Sequence, residues 1–242
     1  MMQAKQNAWV FGATGLTGRS VVQTLCLTGV HCYAHLRPNS SSRAFVEPVF
    51  RECGAHIVAF DWQISELKAA FNSAPPSVVF LTLGTTNSRA KLDGQGHRTV
   101  DYGLTKMVLD VLGTDYPNTE IVYLSAVRSV GASLSDYFRI RVEIEAELDA
   151  HNGYVLIAQP ALITGPRVDD RPWEHRAAVA TNKGLDLLSA LGLTGMARRY
   201  RSLDGETLGR GMVQLWREKS PCGIADVEAL TQGATRFARS LA

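Results

Sequence analysis

The stretch NAWVFGATGLTGRSVVQTLC, residues 7–26, runs from a short apolar segment through three glycines into a segment with helical spacing. NAWVFGA (7–13) reads as a strand. In TGRSVVQTLCLTG (17–29), Val21, Val22, Leu25 and Cys26 fall on one helix face, and Gly29 is a stop signal. Gly12, Gly15 and Gly18 therefore sit where a first strand turns into a first helix. Glycine reaches backbone angles closed to other residues and lets a ligand come close to the main chain. A helix start also offers free amides and the positive end of a dipole. The stretch has two readings: a tight strand–helix turn, or a cradle for a diphosphate.

The pattern repeats along the chain. VHCYAHLR (30–37) is a second strand, and AHIVAFDW (55–62) a third, reached through a polar segment. ISELKAAFNSA (64–74) is a helix that ends before Pro75 and Pro76. SVVFLTLG (77–84) is a fourth strand and is almost continuously apolar, as a strand covered on both faces should be. VDYGLTKMVLDVLG (100–113) is a helix and EIVYLSAV (120–127) a fifth strand. SDYFRIRVEIEAELDAHNG (135–153) is a long helix, and YVLIAQPALI (154–163) a sixth strand. Beyond residue 167 the pattern loosens, until DGETLGRGMVQLWRE (204–218) gives a helix and CGIADVEA (222–229) a late strand. Strands alternating with helices predict an α/β fold: a doubly wound parallel sheet of the Rossmann type with a small C-terminal substrate-side extension. Residues 1–242 form one domain in this reading, and residues 167–204 supply substrate-side loops within it.

Composition narrows the function classes. The chain has 242 residues, 45% hydrophobic and 20% charged, with a formal net charge of +2. These values suit a globular domain that needs no disulfide or metal staple. The basic groups at Arg139 and Arg141, and at Arg198, Arg199 and Arg201, are short and flanked by apolar residues, so nucleic acid is not an expected partner. Cys26, Cys32, Cys53 and Cys222 lack C-x-x-C spacing, and none of the six histidines shows metal or triad spacing, so no metal site is expected. The thiols read as buried or neutral residues of a reducing compartment. With no signal-peptide pattern and no run long enough to span a bilayer, the expected location is the cytoplasm, with no membrane partner.

The tip of the second strand discriminates between dinucleotides. An acidic residue there would hold the ribose hydroxyls of NAD. This chain has HLRPNSSSR instead: Arg37 can offer a planar cation to a 2′-phosphate, with Asn39, Ser40, Ser41 and Arg43 nearby. NADP(H) is therefore expected over NAD(H). The absence of a Lys-Ser or Lys-Thr pair disfavours a nucleoside-triphosphate loop. The expected cofactor-binding set is Gly12, Thr14, Gly15, Leu16, Thr17, Gly18, Arg37, Asp61, Leu83, Gly84 and Thr85. Asp61 could accept from the adenine amino group or cap the helix after it.

Ser125 ends the fifth strand. Tyr137 and Arg141 stand four apart on the following helix, and hence on one face. A tyrosine beside a fixed cation can act as acid or base, and a serine can steady a substrate oxygen. The same residues also permit plain packing: Tyr137, Ile140, Ile144 and Leu148 form an apolar stripe, and Arg141 could pair with Glu145.

GATGLTG (12–18), LGTT (83–86), VDYGLTK (100–106), LSA (124–126), YFRIRVEIEAEL (137–148) and QPALITGPR (159–167) run in order over about two-thirds of the chain. As a set they resemble the atypical short-chain dehydrogenases/reductases, and within them the TIP30/HTATIP2-like and bacterial nucleoside-diphosphate-sugar epimerase-like group. The resemblance implies carbonyl/alcohol hydride transfer, with Ser125, Tyr137 and Arg141 as catalytic residues, Arg141 standing where the family has a lysine that also binds the nicotinamide ribose, and Pro160 and Arg141 joining the cofactor-binding set. Arginine keeps the charge but cannot release a proton near neutral pH, so a relay through it is not expected. The resemblance further implies that Pro160 lies beside the nicotinamide and that Trp173, His175 and Tyr200 are candidate pocket walls. It also implies that the helix after Ser135 could pair across a homodimer. Gln159 stands where the family usually has arginine. The alternative to an oxidoreductase or epimerase-like enzyme is an NADP(H)-binding regulatory or scaffold module with little catalysis. The substrate would be a small molecule whose identity the sequence does not give.

Overall fold

Seven parallel strands build one sheet in the order β3-β2-β1-β4-β5-β6-β9. They are β1 (Asn7–Phe11), β2 (His31–His35), β3 (His56–Val58), β4 (Val78–Leu81), β5 (Glu120–Leu124), β6 (Val155–Ala158) and β9 (Gly223–Ala225). The computed structural model describes residues 6–84, 96–127, 136–165 and 200–241. The helices are α1 (Leu16–Cys26), α2 (Arg43–Glu52), α3 (Ile64–Ser73), α4 (Thr105–Asp115), α5 (Asp136–Leu148), α6 (Gly205–Glu218) and α7 (Val227–Ser240). A π-helical segment, Arg98–Leu104, runs directly into α4.

Both faces of the sheet are apolar because successive strand residues point to opposite sides. Ala8 and Val10, Val78 and Phe80, and Val122 and Leu124 pack with α1, α2, α6 and α7. Trp9 and Phe11, Val79 and Leu81, and Ile121 and Tyr123 pack with α3, α4 and α5. This explains the uninterrupted apolar runs: a strand covered on both sides has no position left for a solvated residue.

Two elements depart from the sequence reading. The polar segment between β2 and β3 contains α2, which buries only Val46 and Phe50 and carries Pro48 inside it. The late strand is short, and a helix follows it at once. Val227, Leu230, Ala234 and Phe237 of α7 are buried at helical spacing, and Gly211 of α6 lets the Leu230 backbone approach so closely that a Cβ there would lie 2.3 Å from its carbonyl oxygen. The Asp204 and Asp226 carboxylates cap α6 and α7 by accepting from the amides of Thr207 and Ala229.

A small second sheet pairs β7 (Ile163–Thr164) with β8 (Leu203–Asp204) in parallel. It sits beside the first residue of α1: a Cβ on Gly205 would lie 2.5 Å from the Leu16 side chain, and one on Gly165 would lie 3.1 Å from it. Strands β7 and β8 are thus held next to the glycine loop.

Candidate functional site

The strand order reverses between β1 and β4, which is where doubly wound sheets open a crevice at their carboxyl ends. The glycine loop lies at that point. Gly12 has φ of +82° and faces the end of β4, where a Cβ would lie 2.5 Å from the Thr82 carbonyl oxygen. The Thr82 hydroxyl and amide both donate to the Phe11 carbonyl, which ties the two strand tips together. A Cβ on Gly18 would lie 2.2 Å from the Gly12 carbonyl oxygen, so Gly18 permits helix and strand to touch. Gly15 differs from both. It is exposed, extended at φ −72° and ψ 167°, and a Cβ there would meet only the Gly12 oxygen, at 3.2 Å. It is the N-cap of α1, no side chain caps that helix, and its first turn carries no acid. The start of α1, with the positive end of its dipole, therefore lies at an exposed glycine with no side-chain cap, a setting that suits an anion. Thr14 and Leu16 are half-buried and Thr17 is buried beneath the loop.

Arg37 is exposed just beyond β2, and no acidic residue occupies that strand tip. Arg43 is committed differently: it donates to Glu47 at 2.7 Å within α2. Asp61 is exposed, and its amide donates to Glu66; the N-cap of α3 is Gln63, so the helix-cap alternative for Asp61 does not hold. Leu83 and Gly84 follow β4, with Gly84 exposed. Pro160 is buried after β6, and its carbonyl accepts from the Val127 amide. Thr85, Trp173, His175, Arg198 and Arg199 lie outside the described residues, and Tyr200 is half-buried at the edge of them.

The second group of residues sits on the β5–α5 unit of the same carboxyl edge. Ser125 is buried, and its hydroxyl donates to Glu145 Oε1; the Gln159 side-chain amide donates to the same oxygen at 2.9 Å. Arg141 does not pair with Glu145, as one sequence alternative had it. It donates from Nη2 to Asp101 Oδ1 at 2.7 Å, and from Nη1 to the Tyr123 hydroxyl at 2.9 Å and the Leu124 carbonyl at 2.8 Å. A longer contact of 3.4 Å reaches the Leu83 carbonyl. The Arg141 side chain is 6% exposed and that of Asp101 is fully buried. Burial works against the guanidinium charge, yet the phenols of Tyr137 and Tyr123 and the Asp101 carboxylate together hold its proton more tightly than usual. Burial pushes the Tyr123 phenol up to about 12.

Tyr137 is half-buried. Its ring lies 5.0 Å from the Arg141 guanidinium carbon and packs edge-on to His97 at 5.3 Å. The expected apolar stripe is real for Ile140, Ile144 and Leu148, which enter the core; Tyr137 stands outside that buried set. His97 contacts Asp101 at 3.2 Å. Asp101 and His97 were not singled out in the sequence, and Glu145 was named only as a possible partner of Arg141. The signals were present: Asp101 lies in VDYGLTK, and Glu145 is one turn beyond Arg141.

A groove of about 720 Å³ runs beside the outer face of α1, lined by Arg19, Gln23, Phe45, Val49 and Arg210 among others. It lies behind the glycine loop rather than over Ser125 and Tyr137. Among the described residues no group of His, Cys, Asp and Glu side chains is arranged to hold a metal ion, and no helix is long and apolar enough to cross a membrane.

The fold and site together define a doubly wound α/β protein of the Rossmann type with a glycine loop at its switch point. Solved structures share this architecture. One is a Bacillus halodurans protein described as an NAD-dependent epimerase/dehydratase, with a TM-score of 0.65 at 14% identity, covering 94% of this chain and 99% of that one. Another is an oxidoreductase of the short-chain dehydrogenase/reductase family from Burkholderia thailandensis, with a TM-score of 0.65 at 14% identity, covering 99% and 98%. A third is AtPrR2 with NADP+ and (+)pinoresinol, with a TM-score of 0.51 at 17% identity; the match covers 66% of this chain and about half, 51%, of that one. No protein-family model and no curated protein matches the sequence.

Proposed function

We propose that the chain binds NADP(H) across the β1–β4 crevice and interconverts a carbonyl and an alcohol, alone or as the transient oxidation within an epimerase or dehydratase cycle. One observation carries this reading: an exposed glycine at the uncapped start of α1, placed where the sheet order reverses. The residues suit the cofactor. The loop amides would take the diphosphate, Arg37 the 2′-phosphate, and Leu83, Gly84, Thr85 and Pro160 would line the nicotinamide side, with Asp61 toward the adenine. When bound, the cofactor accepts or supplies a hydride.

Tyr137 is the proton donor or acceptor in this reading. The Arg141 guanidinium stands 5.0 Å from its ring as the neighbouring cation. Asp101 and Tyr123 hold Arg141 in place, so it acts as a fixed cation and not as a proton relay. Ser125 gives its own proton to Glu145 and keeps lone pairs with which to orient a substrate hydroxyl. The substrate is a small molecule bearing that alcohol or carbonyl.

A second reading, an NADP(H)-binding regulatory or scaffold module, draws on one fact: both Nη nitrogens of Arg141 are spent on protein groups. Fluorescence titration with NADPH and NADH, on wild type and Arg37→Ala, tests the cofactor. NADPH should bind tighter, and the variant should lose that preference. Equal NADPH affinity in the variant removes the phosphate assignment. A screen of aldehydes, ketones and nucleotide sugars with wild type and Tyr137→Phe separates the readings. Turnover that vanishes in the variant supports the enzyme, and tight cofactor binding without turnover supports the module.

A further inference from the structure

Cys26, Cys32 and Cys53 come from three different elements: Cys26 is the last residue of α1, Cys32 lies within β2, and Cys53 caps the C-terminus of α2. No spacing rule connects them. The fold nevertheless gathers their sulfurs. Cys53 Sγ lies 2.9 Å from Cys26 Sγ, and the Cys32 thiol neighbours Cys26 as well. Cys32 is 2% exposed, whereas Cys26 and Cys53 are both partly exposed. A reagent from solvent can therefore reach the Cys26–Cys53 pair and not the third thiol. The fourth cysteine, Cys222, stands exposed on the segment before β9 and has no part in the group.

The three thiols are not equivalent. The neighbouring Cys32 and Cys53 thiols bring the Cys26 thiol down to about 7, against the opposing effect of burial, while burial pushes Cys53 up to about 12. A thiol that ionises readily, is reached by solvent and has a second thiol at contact distance is the arrangement of a redox-sensitive pair.

We propose that Cys26 and Cys53 form a reversible disulfide when the protein meets a hydroperoxide. The Cys26 thiolate attacks one peroxide oxygen. The S–O bond forms, the O–O bond breaks, and hydroxide leaves and takes up a proton as water. Cys26 is then a sulfenic acid. The Cys53 sulfur attacks the Cys26 sulfur, the S–O bond breaks, and a second water leaves with the Cys53 proton. In sum, two thiols are oxidised by two electrons, and hydrogen peroxide is reduced to two waters. Cys32 remains a thiol. An external dithiol reverses the change by exchange. The bond would tie the end of the glycine-loop helix to the end of the helix that follows Arg37, so it joins two elements that flank the nucleotide crevice.

The test uses the reduced full-length chain, treated with one equivalent of hydrogen peroxide, alkylated and mapped without reduction. Two of the four thiols should disappear, Cys26 and Cys53 should appear in one cross-linked peptide pair, and dithiothreitol should restore both. In Cys53→Ser the Cys26 sulfenic acid should persist and label with dimedone. In Cys26→Ser the cross-link should be absent. Should Cys26→Ser fail to fold, the dimedone map of Cys53→Ser carries the test alone. The proposal is overturned if all four thiols survive, if Cys222 alone reacts, if the cross-link joins Cys26 to Cys32, or if dimedone in Cys53→Ser labels a residue other than Cys26.

Discussion

Replacing Asp101 with leucine should be among the most damaging single changes in the chain. Asp101 and Arg141 form a desolvated ion pair, with the carboxylate fully buried and the guanidinium nearly so. The other bonded partners of Arg141 are a phenol and two backbone carbonyls, all neutral. Removing the carboxylate leaves a cation that burial cannot easily discharge. Breaking a buried pair from one side costs about 3–5 kcal/mol. With a urea dependence of about 3 kcal/mol per molar for a chain of this size, the unfolding midpoint should fall by at least ~1 M. The pair as a whole need not be stabilising, because two desolvated charges repay little more than their own burial. Asp101→Leu combined with Arg141→Met should therefore regain most of the lost stability. The assay is urea unfolding followed by circular dichroism at about pH 8, where histidine is neutral, on wild type, both single variants and the double variant. If Asp101→Leu costs less than about 1 kcal/mol, or the double variant is no more stable than it, the reasoning fails.

Three further outcomes are expected. Gly18→Ala should lower stability by about 2 kcal/mol or more, because its Cβ would meet the Gly12 carbonyl at 2.2 Å; Gly15→Ala should keep its melting temperature and lose at least tenfold in NADPH affinity, and calorimetry with a binding titration separates the two. Burial pushes the His35 imidazole down to about 4. Its folded value thus lies below the unfolded one of about 6.5, so stability that is present above that pH is lost as pH falls toward 4, by up to about 3 kcal/mol; His35→Leu should flatten that part of the pH–stability curve, and an unchanged curve would count against burial of the neutral ring. Closing the chain between Cys26 and Cys53, 27 residues apart, should raise stability by at most about 3.5 kcal/mol on loop entropy, read as a higher melting temperature for the peroxide-treated protein that dithiothreitol abolishes.

The sheet was legible because the central strands carry unbroken apolar runs, residues 8–11, 78–81, 121–124 and 155–158, a pattern that two covered faces demand. The glycine loop was legible because turn, helix start and close packing all restrict residue type at fixed spacing. What escaped had weaker signatures. α2 buries only Val46 and Phe50 and holds a proline, so its helical period is faint. α7 follows so closely on β9 that the two read as one strand, although Val227, Leu230, Ala234 and Phe237 carry the period. In the site, Ser125, Tyr137 and Arg141 could be listed from the chain, but their partners could not. Whether Arg141 meets Glu145 or Asp101 depends on how α5 lies against the π-helical segment, and that is set by packing between distant stretches. The thiol group was hidden for the same reason, since three elements must assemble before Cys26 has neighbours.

The short ribbon of β7 and β8 bears on how such a protein could change its chemistry. Main-chain bonds, including Leu203 N–H to the Leu162 carbonyl at 2.9 Å, join β7 to β8 beside Leu16. A different insert spliced between these two strands would inherit the same anchorage. Variation in the stretch between them is in this way uncoupled from the sheet, and recombination at the ribbon is a route by which it changes while the doubly wound scaffold stays as it is.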